Sequence, residues 1–181
     1  MSSNSDDPNA SSDLRIGASC EITDNISLLR EIQFFAGLPL EVVKLFAYLS
    51  TRECFKADDF LFRQGEDDGC AYYSLTGEVE LLLRDSAGEK VLRRYSERSF
   101  FGSLSLLSPM PRLFSLKAAT DLCCLVLTRE KFSKILEQFP EIQPKIISSI
   151  VHRMLKWEKQ VLKDLEANLG SCQHSVGISL L

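Results

Sequence analysis

A chain of 181 residues, 45% hydrophobic and 25% charged, holds enough apolar mass for one good core and sits near the usual size of a single domain. A formal net charge of −4 gives no global electrostatic reason to approach nucleic acid, where binding draws on Lys and Arg at phosphates. No apolar run approaches the roughly 20 residues that span a bilayer, and the N-terminus lacks the basic and apolar parts of a signal peptide, so a soluble, cytoplasmic protein with no membrane partner is expected.

Residues 1–22 are rich in Ser, Asp and Asn and read as a disordered leader. From Asp24, DNISLLREIQFFAGLP sets a polar cap before Ile26, Leu28, Leu29, Ile32 and Phe35, with Gly37 and Pro39 ending the helical pattern. LPLEVVKLFAYLS then places Leu40, Val43, Leu45, Phe46 and Leu49 at helical spacing. Between Glu53 and Arg129 the rhythm becomes strand-like, with short apolar or alternating runs punctuated by Gly65, Gly69, Gly77 and Gly88. Turns at such intervals suggest a small β-barrel or jelly roll. Gly77 is placed for a tight turn, EVELLL and KVLRRY for the two arms of a hairpin, and RDSAGEK for a longer loop joining them.

After a final strand at DLCCLVLT, REKFSKILEQFP reads as a short helix ending near Pro140. Residues 141–169 read as one long helix with Pro144 in its first turn, followed by a flexible tail at 170–181. Ile147, Ile150, Met154, Trp157 and Val161 recur at steps of three and four, with a second row beside them. At 1.5 Å per residue such a helix is about 40 Å long, more than a small barrel covers, so its apolar face predicts a homodimer seam; packing on its own barrel is the other reading.

The six cysteines, Cys20, Cys54, Cys70, Cys123, Cys124 and Cys172, form no Cys-x-x-Cys pair and read as scattered buried thiols, with no metal site. Cys123 and Cys124 are neighbours on a strand and point to opposite faces. No nucleophile–base constellation, His/Glu metal motif or Walker-type loop is visible, so the chain does not read as an enzyme, and no cofactor is expected.

The order of elements, two N-terminal helices, about eight strands of a jelly roll (a double-stranded β-helix) and a long C-terminal helix, resembles the cyclic nucleotide-binding domain family, especially the sensor half of the Crp/Fnr regulators. The blocks FLFRQGEDDGCAYYSLTGEVEL at 60–81 and FFGSLSLLSPMPRLFSLKA at 100–118 carry the resemblance, which covers about residues 24–169. It implies a mainly β domain over 23–140. In that family the second block is a phosphate-binding cassette, usually Phe-Gly-Glu-(Leu/Ile)-Ala-Leu-Leu and then Pro-Arg-x-Ala-(Thr/Ser). Amides at a short helix receive the cyclic phosphate, an arginine pairs with its charge, and the glutamate binds the ribose 2′-hydroxyl.

Phe101, Gly102, Leu104, Leu106, Leu107, Pro111, Arg112 and Ser115 stand where that pattern expects them. Ser103 replaces the glutamate, and losing a charge-assisted hydrogen bond costs about tenfold or more in affinity. Ser105 replaces a small alanine. Phe114 replaces the other alanine, and an inward ring would occupy space near the phosphate or sugar.

Arg112 has two readings, a retained ligand for phosphate or a structural arginine paired with Glu66, Asp67, Asp68 or Glu97. Trp157 either stacks on a planar ligand or packs. His152 reads as solvated, and Lys145, Arg153, Lys156, Lys159 and Lys163 as the helix's wet face. Crp/Fnr transcription factors continue into a DNA-binding domain, for which GSCQHSVGISLL is too short. The resemblance therefore implies a bacterial stand-alone sensor, binding cAMP, cGMP or another small anion and signalling through its dimer helix or a protein partner. A ligand-free interaction module is the alternative.

Overall fold

The structure is a computed structural model that describes the backbone of residues 10–168 and side chains over residues 21–165. The C-terminal tail and the first nine residues of the leader lie outside the described residues. Helix α1 spans Ala10–Glu31, followed by a 3-10 turn at Gln33–Phe35 and helix α2 at Leu40–Leu49. The expected cap near Asp24 is not a helix start. The backbone is already helical there, and Asn25 is buried and accepts both Arg52 Nε and Nη2 at 3.1 and 2.8 Å. That polar residue ties the helix to the first strand.

Eight strands follow: β1 (Thr51–Phe55), β2 (Phe60–Phe62), β3 (Cys70–Thr76), β4 (Val79–Asp85), β5 (Gly88–Tyr95), β6 (Phe100–Phe101), β7 (Ser115–Ala118) and β8 (Leu122–Thr128). They form two four-stranded antiparallel sheets, ordered β1-β8-β3-β6 and β2-β7-β4-β5, the jelly-roll-like arrangement the turn spacing implies. A 3-10 turn at Ser103–Leu106 interrupts the barrel between β6 and β7. Helix α3 (Arg129–Gln138), a 3-10 turn at Pro140–Ile142 and helix α4 (Gln143–Asn168) complete the described residues. Among the described residues no helix is long and apolar enough to cross a membrane.

β8 shows why a run such as LCCLVLT hardly alternates. Leu122, Cys124 and Val126 face the barrel interior with Val79, Leu116 and Tyr72, while Leu125 and Leu127 face a second core under the helices. Both faces are buried, so both must be apolar. In the second core the Phe46 ring lies 5.1 Å from Phe35 and 5.5 Å from Phe132, and Ile142 and Ile146 seat the start of α4. The outer strand β5 is exposed along nearly its whole length and carries Lys90, Arg93 and Arg94, charges that discourage edge pairing.

Gly77 turns β3 into β4 at φ +81°, and a Cβ there would strike the Asp121 carbonyl, so glycine is required. The β4–β5 connection is tighter than the longer loop expected. Asp85 pairs with Gly88 across two residues, and Asp85 Oδ1 accepts the Ala87 amide at 2.8 Å, closing a local turn.

The cysteines are not all free thiols. Cys54 and Cys123 face each other across β1 and β8 and form a disulfide, a pairing set by strand register and invisible in their separation of 69 residues. Cys124, next along β8, points the other way and is 1% exposed. Burial, with a smaller push from the Glu53 carboxylate, raises its thiol from 9.0 to about 12. Native protein at about pH 8 is therefore expected to keep Cys124 unmodified by iodoacetamide while denatured protein reacts. The unfolded thiol ionises above its ordinary value of 9.0 and the native one only near 12, so its stabilising contribution is complete below pH 9.0 and is lost across that window. A mass spectrum showing rapid native alkylation of Cys124 would contradict this burial.

Candidate functional site

The loop between β6 and β7 builds the site. Phe101 points inward, its ring edge-on to Tyr95 at 5.3 Å, and anchors the start of the loop. Gly102 then takes φ +81°, a left-handed conformation that turns the chain into the 3-10 segment, where Ser105 N–H donates to the Gly102 carbonyl at 3.1 Å. No side chain caps that segment. Leu106 anchors its underside, Ser103 and Ser105 are buried, and Leu104 and Leu107 are exposed.

Arg112 lies directly beneath this turn. A Cβ on Gly102 would come 2.6 Å from Arg112 Nη1 and 2.6 Å from the Cys70 carbonyl. The guanidinium is 6% exposed, sits 4.0 Å from the centre of the Phe62 ring, and uses Nη2 to bond Asp68 Oδ1 and the Cys70 carbonyl, the latter at 2.6 Å. Its Nε is buried with no partner among the described residues. Backbone bonds of 2.8 Å from Gly65 N–H to the Arg112 carbonyl and from Arg112 N–H to the Glu66 carbonyl fix the arginine's main chain.

Of the four acids weighed for Arg112, Asp68 is the partner. The Tyr72 hydroxyl lies 2.9 Å from Asp68 Oδ2 and 3.1 Å from the Leu61 carbonyl, which holds the carboxylate in place. Burial first, then the charge of Asp68, drives the Tyr72 hydroxyl well above the usual phenol range, so it stays a donor. Asp67 belongs instead to Arg129, whose hydrogen bond holds that carboxyl below its ordinary value. Arg129 Nε also donates to the Ser105 carbonyl at 2.6 Å, tying the start of α3 to the 3-10 turn.

Ser115 is buried, and its hydroxyl accepts the Gln64 amide at 3.0 Å, a structural bond. The Phe114 ring lies 5.6 Å from Phe62 and lines the cavity, so it does take up pocket space and also supports the ring beneath Arg112. The cavity has a volume of about 530 Å³ and runs from Gly102, Ser103 and Arg112 to Ile150, Arg153, Met154 and Trp157 on α4. None of its described lining residues is an acid.

Along α4, Ile150 packs on the helical core, Val161 is half-buried, and Ile147, Met154 and Trp157 are exposed, with Trp157 68% accessible at the cavity mouth. Arg153 is not simply wet. Its Nη1 donates to Ser103 Oγ at 3.3 Å, which links the helix to the turn. The clue was its place three residues after Ile150 and four before Trp157, on the face that lines the cavity. Lys145 is likewise engaged, donating to the Gly37 carbonyl at 3.0 Å.

Residues 52–139 match the profile of the family described as cyclic nucleotide-binding domain. A cAMP-dependent protein kinase regulatory subunit from Emericella nidulans is 31% identical over 112 residues, covering 61% of this chain and 26% of that protein. This chain thus spans about a quarter of that relative's length. Among solved structures, a cyclic nucleotide-binding-like protein from Brucella abortus is similar at 27% identity and TM-score 0.59, covering 63% of this chain and 98% of that one. The Thermus thermophilus catabolite activator protein is similar at 26% identity and TM-score 0.61, with coverage of 75% and 63%.

Proposed function

From the membership of residues 52–139 in the cyclic nucleotide-binding domain family, we propose that the cavity under the Gly102 turn binds a cyclic nucleotide or another small anion and passes its occupancy to α4. The observation that carries this reading is Arg112. A guanidinium 6% exposed, with an unpartnered Nε and both of its bonds leaving from Nη2, lies against a positive-φ glycine and contributes to a cavity with no acid among its described lining. Buried charge is costly, and an arrangement that leaves part of it unspent suits an anionic ligand.

Residues 23–140 are in this reading the ligand-binding unit and 141–169 the output helix of a non-enzymatic, cytoplasmic regulator. Ligand lying between the Gly102 turn and α4 touches both, and only such differential contact can shift a helix between positions. The exposed apolar residues Ile147, Val151, Met154 and Leu155 supply a surface for a homodimer or a partner protein.

The same surface supports a second reading, an interaction module in which Asp68 is a permanent counter-ion for Arg112 and no ligand enters. Calorimetric titration with cAMP and cGMP separates the two. Since the Emericella relative is named a cAMP-dependent subunit, cAMP is tried first. Saturable micromolar binding that Arg112→Ala abolishes is the expected result; no heat from either nucleotide or from inorganic phosphate favours the interaction module.

A further inference from the structure

The polar groups at the Ser103 corner of the cavity have the opposite sign from the one a ribose needs. A sugar hydroxyl is best held by a charged acceptor, the part a glutamate would play at this position. Here the corner holds the Ser103 hydroxyl and, bonded to it at 3.3 Å, the Arg153 guanidinium. Arg153 also lines a second cavity of about 580 Å³ that shares Phe100 and Trp157 with the first. Arg98 and Lys156 line that second cavity as well, and its one acid, Glu31, is paired with Arg98 at 3.1 Å. Beyond the turn, the path out along α4 is therefore cationic and rich in donors.

Resting on the anion-site reading above, we infer that the ligand carries two acidic groups, one for Arg112 beneath Gly102 and a second for Arg153 and the Ser103 hydroxyl. The chemical class is a small molecule with a phosphate and a further carboxylate or phosphate in place of a free ribose diol. A second acidic group would take the Arg153 donor that now bonds Ser103. Charge-assisted bonds to guanidinium are the stronger kind, so this end of the ligand contributes both affinity and a direct hold on α4. It also gives a purpose to a serine where a cyclic nucleotide site would keep a carboxylate, because a glutamate there would repel such a group and pair with Arg153 itself.

The test is calorimetric titration of the full chain with cAMP and with 2′-O-monosuccinyl-cAMP, which places a carboxylate at the ribose corner. The succinyl compound is expected to bind about tenfold or more tightly than cAMP at low salt. Arg153→Gln should remove the advantage of the succinyl compound, bringing the ratio of the two affinities close to one, because the second acid loses its partner. Ser103→Glu should reverse the preference. Thermal midpoints of both variants serve as folding controls. Equal or weaker binding of the succinyl compound in the wild type, or a preference that survives Arg153→Gln, overturns the two-acid inference and leaves the anion site standing. Absence of saturable binding by both compounds overturns the anion site and this inference together.

Discussion

Gly102→Ala is expected to destabilise the protein by about 2–5 kcal/mol and to abolish ligand binding at the cavity. Two costs combine. A non-glycine residue in the left-handed region loses about 1–2 kcal/mol, and overpacking a closed site adds about 1–3 kcal/mol. The second cost is real here because the added Cβ would sit 2.6 Å from the Cys70 carbonyl, main chain of β3 that cannot swing aside, and 2.6 Å from Arg112 Nη1. The guanidinium would have to move, and with it the bonds to Asp68 and Cys70.

Gly37 supplies an internal control. Its φ is +79°, nearly that of Gly102, yet a Cβ there meets nothing within 4 Å. Gly37→Ala should therefore cost only the backbone share, about 1–2 kcal/mol. Urea midpoints of the two variants at matched slopes give the comparison directly. Equal losses would mean that the close approach of Gly102 to Arg112 does not constrain the turn.

The contrast between these glycines marks what a sequence conveys about this molecule. FFGSLSLL reads as an anchor, a turn and a short helix because those are local properties, a pair of apolar residues, a glycine and a leucine spacing. The same holds for β8, whose unbroken apolar run reports burial on both faces. Gly102's need for glycine is half local, through φ, and half not, because the contact comes from Arg112, ten positions on, and from β3.

Pairings that depend on how loops cross are the ones that composition cannot resolve. Asp67 and Asp68 are adjacent and chemically identical, yet one holds Arg129 and the other Arg112, because consecutive side chains in the loop diverge. The Cys54–Cys123 disulfide depends on the register between β1 and β8. Arg153 was hidden for a different reason. Its helix presents basic residues at many positions, and the spacing that sets Arg153 between Ile150 and Trp157 becomes informative once α4 is docked over Ser103.

Asp68→Asn carries the other large expected effect, and it tests what Arg112 is for. Removing one partner of a buried ion pair leaves the remaining charge uncompensated, a loss of about 3–5 kcal/mol for a fully buried pair. The Asp68 side chain is 20% exposed and Arg112 keeps the Cys70 carbonyl, so a loss of about 2–4 kcal/mol is expected, somewhat less than for a fully buried pair. An anion entering the cavity supplies the missing charge. Its stabilisation of the variant should exceed that of the wild type, where Asp68 competes for the same guanidinium, and the gain should grow with concentration as mass action requires. Thermal midpoints of both proteins across a series of cAMP concentrations read this out. If the alternative reading holds and Arg112 is purely structural, Asp68→Asn loses stability and no anion restores it. The double variant Asp68→Asn with Arg112→Met then decides the energetics: with both charges gone it should recover much of the stability, since the penalty in the single variant is an unpaired buried charge rather than a lost contact.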